Sequence, residues 1–264
     1  MKKHLVFVML LVLTVSLLAG CSGQKTSSVL DKIKTSGKVV VGTSADYAPY
    51  EYVDEAGKFT GFDIELMTEI ARRMGVELVW TDMPFDSLIA AVQEGKIDMS
   101  ISCFNYTEER DAQVDFSDAY YTSEDAFLVT DAFTGTITDP LEVAKYKIGV
   151  QSGTVQDDWV TTELVGAGLM PESQLSRYER VDQASLDLKS GRIDVLVADS
   201  VPEKAIMQQQ TGLKIVYEGM LYTGPINIVL PNGDTALQAE VNKIIKALQD
   251  EGFIDALAVK YFSE

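Results

Sequence analysis

Arg110 and Asp199 are the two side chains whose types and positions suggest chemistry. Arg110 lies in the polar segment 105–111 that follows an apolar run at 97–102, and Asp199 closes a second apolar run at 193–198. The same signature precedes both runs: a helical stretch, a glycine, a basic residue and Ile-Asp, read as EGKID at 94–98 and SGRID at 190–194. The runs are short and almost continuously apolar, as strands covered on both faces are. Ligands of open α/β sheets gather outside the carboxyl ends of the strands. One such end carries a guanidinium and the other a carboxylate, so two ends facing each other would suit a zwitterion. On the residues alone two plainer readings stay open. Arg110 also reads as a solvated arginine in a charged run, and Asp199 as the N-cap of a helix with Pro202 at its first position.

Composition narrows the chemistry. The chain of 264 residues opens with Lys2 and Lys3, an apolar stretch at 5–18, and Leu18-Ala19-Gly20-Cys21. The apolar stretch is short of the roughly 20 residues that a membrane span needs and fits a secretory signal. Its last four residues resemble the bacterial lipobox, in which Cys21 becomes the lipid-modified N-terminus after cleavage before it. Residues 1–20 are then a signal peptide and 21–28 a lipidated polar linker that holds the domain at a membrane surface. Cleavage removes Lys2, Lys3 and the sole histidine, His4, leaving 20 of the 22 basic residues against 40 acidic ones. So acidic a surface repels nucleic acid. Without histidine, a Ser-His-Asp or Cys-His nucleophile and a His-ligated metal are excluded. Cys103 has no partner for a disulfide once Cys21 is lipidated, and reads as a small buried filler.

The elements alternate. A helix at 29–35 stops at Gly37, a strand spans 38–43, and an aromatic loop fills 44–52. A helix follows at 61–75, with Asp63 as N-cap, apolar Ile64, Met67, Ile70, Ala71 and Met74 at helical spacing, and Gly75 as C-cap. A strand at 76–81, a helix at 85–95 and the strand at 97–102 complete a β-α-β-α-β unit with a parallel sheet. Residues 119–130 read as a crossing strand. Strands at 146–150, 175–178 and 193–198, with helices at 157–164 and 182–190, repeat the unit. A helix at 202–210 and strands at 214–217 and 226–230 follow, and the helical stretch at 235–262, broken near Gly252, returns to the first half. The expected lobes are 29–122 with 231–264, and 123–230, joined by two crossings that make a hinge.

Six segments carry a family resemblance. They are VVVGTSADYAPYEY (39–52), GFDIELMTEIARRM (61–74), FDSLIAAVQEGKIDMSIS (85–102), NYTEERDAQVDFSDAYY (105–121), KIGVQSGTVQ (147–156) and RIDVLVAD (192–199). In this order, behind a lipobox, they resemble the bacterial solute-binding proteins of amino-acid ABC importers. The resemblance implies an α/β chain of the two-lobed type II periplasmic-binding-protein kind, each lobe a mostly parallel sheet flanked by helices. It implies an L-amino acid held between the lobes, delivery to a membrane permease, a monomer, and neither catalytic residues nor a cofactor or metal. By the same resemblance Arg110 falls on the carboxylate-binding guanidinium, and Asp199 on the acid that holds the α-ammonium. Tyr47 and Phe85 fall on aromatic walls. Ser102 and Thr107 fall on positions that meet the carboxylate, and Thr154 and Gln156 on the second lobe's contribution.

Three departures shape the pocket. Ser44 stands where members preferring cationic amino acids carry an acid, which points to an uncharged polar ligand. Cys103 stands where glycine or serine is common, and Asn105 where threonine or serine is usual, so the pocket floor differs in shape. An enzyme on the same fold, such as a dehydratase of a cyclohexadienyl acid, is the alternative; it requires a positioned acid, for which Glu51 and Glu109 are the candidates. Asp98 and Asp194, in the Ile-Asp positions, read as structural.

Overall fold

The structure is a computed structural model and describes residues 28–263; the expected signal peptide and most of the linker, Cys21 included, lie outside them. Val29–Ser36 (α1) is capped by the Ser28 hydroxyl and stopped by Gly37 in the left-handed region. Lys38–Thr43 (β1) leads into a small antiparallel sheet of Asp46–Tyr47 (β2), Glu51–Val53 (β3) and Phe59–Thr60 (β4). Phe62–Met74 (α2), Glu77–Asp82 (β5), Leu88–Gln93 (α3) and Met99–Asn105 (β6) follow. β1 lies between β5 and β6 and runs parallel to both. Every residue of β6 is buried, which is why its sequence shows no alternation.

The second half repeats the plan. Ile148–Gln151 (β10) lies between Leu175–Tyr178 (β11) and Val195–Asp199 (β12), again parallel to both. Val181–Ser190 (α6) joins β11 to β12. Asp98 and Asp194 play matching parts. Each takes the backbone N–H of the neighbouring first strand, from Val40 and Lys147 respectively, both at 2.9 Å. This ties the entry of the third strand to the first in both sheets.

The crossings differ from expectation in detail. The segment 119–130 forms two strands: Tyr121–Thr122 (β8) pairs in the first sheet and Asp125–Thr130 (β9) runs antiparallel beside β12 in the second. Leu213–Gly219 (β13) forms the second sheet's edge on β9. Pro225–Leu230 (β14) belongs to the first sheet, antiparallel to β6, β8 and Asp115–Phe116 (β7). The expected boundary at residue 230 is therefore corrected, and the return crossing lies between β13 and β14. The apolar run of β14 marks a buried strand, but its partner is a tertiary matter. Thr235–Asp250 (α8) and Phe253–Phe262 (α9) then pack on the first half. Phe262 sits 4.8 Å, ring centre to ring centre, from both Tyr50 and Phe62. Burying each such ring contributes roughly 1.5–3 kcal/mol.

Two helix starts depart from expectation. Asp63 does not cap α2: Gly61 occupies the cap and the Asp63 side chain is fully buried. Ser200–Gln209 (α7) begins two residues before Pro202, with Asp199 at its cap position and no side-chain cap bond. The helix after β10 is Val155–Trp159 (α5), which widens into a π-type turn over Val160–Gly166. The residue at the GFD turn has to be glycine. Gly61 has φ 128, and a Cβ there would lie 2.2 Å from the Tyr50 carbonyl oxygen. We expect Gly61→Ala to lower the unfolding free energy in urea by at least about 3 kcal/mol. Gly57→Ala, at φ 77 with open space around it, should cost only about 1–2 kcal/mol.

Candidate functional site

A narrow cavity with about 10 Å³ of open volume lies between the two sheets, at the carboxyl ends of their parallel strands. Ser44, Tyr47, Glu51, Phe85, Ser102, Cys103 and Asn105 line it from the first half, and Gln151, Thr154, Val155, Gln156 and Asp199 from the second. Nine of the residues expected to bind the solute are therefore brought together: Ser44, Tyr47, Phe85, Ser102, Cys103, Asn105, Thr154, Gln156 and Asp199. Arg110 and Thr107 stand beside the cavity rather than on its wall.

Arg110 lies in Glu108–Asp111 (α4), whose start is set by the Thr107 hydroxyl accepting the Arg110 N–H at 3.1 Å. Its side chain is only 6 % exposed, so it is not the solvated surface arginine that its charged neighbours suggested. The guanidinium donates to the Asn105 carbonyl and, across the cleft, to the Gly153 carbonyl, both at 2.8 Å. Its central carbon is 5.6 Å from the ring centres of both Phe85 and Phe104. No carboxylate among the described residues lies within 4.0 Å of it, and burial pushes its pKa down to about 10. A guanidinium has five N–H donors, so part of this fork is free for an acceptor.

Asp199, at the end of β12, is 4 % exposed. Its Oδ2 accepts from the Tyr47 hydroxyl at 2.6 Å, and its backbone N–H donates to the same hydroxyl at 2.9 Å. Gln156 Nε2 donates to Asp125 at 2.7 Å and approaches Asp199 at 3.4 Å. Burial raises the Asp199 carboxyl, while its hydrogen bonds hold it down. Asp125 rises to about 7 through burial and the Asp199 charge.

Cys103 has φ 49, its N–H donates to Asp63 at 2.8 Å, and burial pushes its thiol up, away from the reactive thiolate. Asn105 turns its amide to the Thr223 carbonyl at 3.0 Å and so holds the return crossing. The Thr154 hydroxyl is spent on the Gln151 carbonyl at 2.8 Å. Glu51, weighed in sequence only as a candidate acid, reaches the cavity with Oε1 accepting from Ser102 at 2.7 Å; Glu109 lies outside it. Asp63, assigned to a cap, stands behind Glu51. The clue missed was the acid itself, set within an apolar aromatic loop. Among the described residues, no group of three or more His, Cys, Asp or Glu side chains is arranged to hold a metal ion.

The halves touch around the cavity. Asp46 accepts from the Val181 N–H at 2.6 Å and from Gln151 at 3.3 Å, and Arg180 pairs with Asp82 at 2.8 Å. The last pair is half exposed and worth at most about 1 kcal/mol. Burial raises Asp46 to about 6 and Asp63 to about 7. Carboxyls raised in the folded state hold protons that the unfolded chain has released, so stability falls as pH rises through these values. We expect the melting temperature of the solute-free chain to drop between pH 5 and pH 8, and Asp125→Asn to flatten the slope. Glu69 and Glu142, held down to about 2 by their donors, act in the opposite sense but only at more acid pH.

The sequence model of the bacterial extracellular solute-binding proteins, family 3, matches residues 39–264. A probable histidine-binding protein of Campylobacter jejuni is 31% identical over 263 residues, 99% of either chain. The solved structure of a mutant of ArgBP from T. maritima superposes with a TM-score of 0.82 at 36% identity, covering 89% of this chain and 100% of that one. An ancestral amino acid-binding protein, described as a precursor of cyclohexadienyl dehydratase, gives 0.79 at 30% identity, covering 90% and 100%.

Proposed function

The chain belongs to the bacterial extracellular solute-binding proteins, family 3, and on that premise we propose that it captures a polar L-amino acid between its lobes for an ABC importer. The observation that carries this reading is the buried charge on either side of one cavity. Arg110 is nearly fully buried, and among the described residues no carboxylate lies within 4.0 Å of it, Asp158 and Glu109 acting only from farther off; burying such a charge is costly until an anion arrives. Arg110 receives the solute's carboxylate on the Asn105 side, where a planar fork binds it bidentately. Asp199 receives the α-ammonium, with Tyr47 orienting the acid. Phe85 and Tyr47 cover the remaining apolar surface. The relatives named above as histidine-binding and amino acid-binding support this class of solute.

Closure follows from the same groups. Tyr47 and Asp199, and Arg110 and Gly153, already bridge the halves. A solute bound to both lobes at once favours this closed arrangement over an open one as a population shift. The closed form docks on the membrane permease. Cys21, after cleavage before it, carries the lipid that keeps the monomeric receptor at the outer face of the membrane.

The dehydratase alternative draws on Glu51, an acid positioned in the cavity. Incubation with a prephenate-type acid separates the two: stoichiometric binding without product supports capture, and turnover supports the enzyme. The direct test is a thermal-shift screen of the twenty amino acids, cystine and ornithine on the mature domain. A solute at about 100 times its Kd adds about 2.7 kcal/mol, which raises the melting temperature by about 5–10 °C for a chain of this size. Arg110→Ala or Asp199→Asn should each abolish that rise; retention of the full shift in both variants overturns the site.

A further inference from the structure

The two halves also meet at one edge of the cleft, away from the cavity wall. Asp46, in β2, is not among the wall residues, and its side chain is only 3 % exposed. Its Oδ1 accepts from the Ser44 hydroxyl at 2.7 Å, which fixes the orientation of the carboxylate. Its Oδ2 reaches the second half, where it accepts from the Val181 N–H at 2.6 Å and from Gln151 Nε2 at 3.3 Å. Val181 is the first residue of α6 and is buried. The first N–H groups of a helix find no partner within it. Arg180, at the cap position of α6, supplies no side-chain bond to them. The acceptor for Val181 comes instead from a residue 135 positions earlier, on the other side of the cleft. Arg180 reaches back in the opposite direction: it pairs with Asp82 at 2.8 Å and lies 3.6 Å from Asp46.

This edge is placed to govern escape from the cavity. Gln151 lines the cavity and touches Asp46. On the outer side, Asp46 and Arg180 line a surface groove with Ala45 and Asp182. Asp46 thus stands between cavity and solvent. With the lobes apart, water pairs the Val181 N–H; with the lobes closed, that N–H is buried and depends on Asp46. Loss of the acceptor therefore penalises the closed form alone. Burial raises Asp46 to about 6 against the pull of Ser44, the Val181 N–H and Arg180. What α6 takes from Asp46 is accordingly an acceptor oxygen rather than a charge.

We propose that Asp46 is a positioning residue for capture: it latches the closed lobes by capping α6 from across the cleft, and so sets how long the solute stays without touching it. This rests on the capture proposed above, and it makes one contact between the lobes, the same for every solute, a part of the affinity.

Stopped-flow kinetics of the purified protein, with each of the twenty amino acids that raises its melting temperature, tests the latch. Asp46→Ala should speed dissociation at least about fivefold, by a common factor for every solute, and leave association within about twofold. Asp46→Asn keeps an acceptor oxygen, so its dissociation should not exceed about twice the unaltered rate. Val181→Pro removes the donor from the other side and suits the first position of a helix. It should speed dissociation as Asp46→Ala does, and the double variant should go no further than either. Unchanged dissociation in Asp46→Ala and Val181→Pro overturns the proposal. So does a factor that differs from solute to solute, which marks a residue in contact with the solute, and so does an Asn variant as fast as the Ala variant. If no amino acid binds, capture falls, and amide exchange at Val181 in the solute-free chain judges the latch by itself. Protection that survives in Asp46→Asn and drops at least about tenfold in Asp46→Ala supports it. Exchange in the unaltered chain at the rate of an unstructured peptide overturns it.

Discussion

A guanidinium out of water, with no carboxylate within 4.0 Å among the described residues, is the constraint on which the rest of the structure turns. Arg110 is held by two backbone carbonyls and lies against the faces of Phe85 and Phe104. Carbonyl dipoles and ring faces soften the desolvation of the charge without cancelling it. Burial therefore lowers its proton affinity, yet at a pKa of about 10 it stays charged at neutral pH. One of the two carbonyls, Gly153, belongs to the other half of the chain. The charge that awaits a partner thus also helps to set the distance between the lobes.

Strand β6 is the beam to which these groups are fixed. Asp98 anchors its entry, Ser102 presents Glu51, the Cys103 amide holds Asp63, and Asn105 reaches both Arg110 and the return crossing. Its seven residues are all buried, so its position is set by packing on both faces. The positive φ of Cys103 falls where the chemistry begins, in the stretch where the register of β6 with β14 shifts. β12 plays the corresponding part opposite, with Asp194 before it and Asp199 at its end. Two copies of one device, turned toward each other, make a cleft whose walls carry unlike charge.

Much of this was legible from the chain alone. The repeated glycine, basic residue and Ile-Asp preceding β6 and β12 located both strand ends, and the GFD stretch located α2 with its Gly75 stop. What misled was local grammar with a second meaning. Asp63 has the type and place of an N-cap, yet a buried backbone N–H and a buried hydroxyl, 40 and 57 residues further on, take it inward. Pro202 reads as the first residue of its helix, yet α7 begins two residues earlier. Glu51 reads only as a candidate acid in an aromatic loop, and only the folding of β3 over Ser102 makes it part of the cavity.

The sequence by itself determined where strands and helices lie, because apolar period, glycine stops and capping chemistry act within a few residues. It also determined that the domain is acidic and that residues 28–263 lack histidine. Only the tertiary structure decided that β14 joins the first sheet, that Tyr47 meets Asp199 across 152 positions of chain, and that the acids of β3 and α2 share one buried place. The physical reason is range. Backbone preference is set by near neighbours, whereas the cost of a buried charge and the identity of its partners depend on whatever the fold brings within a few ångströms.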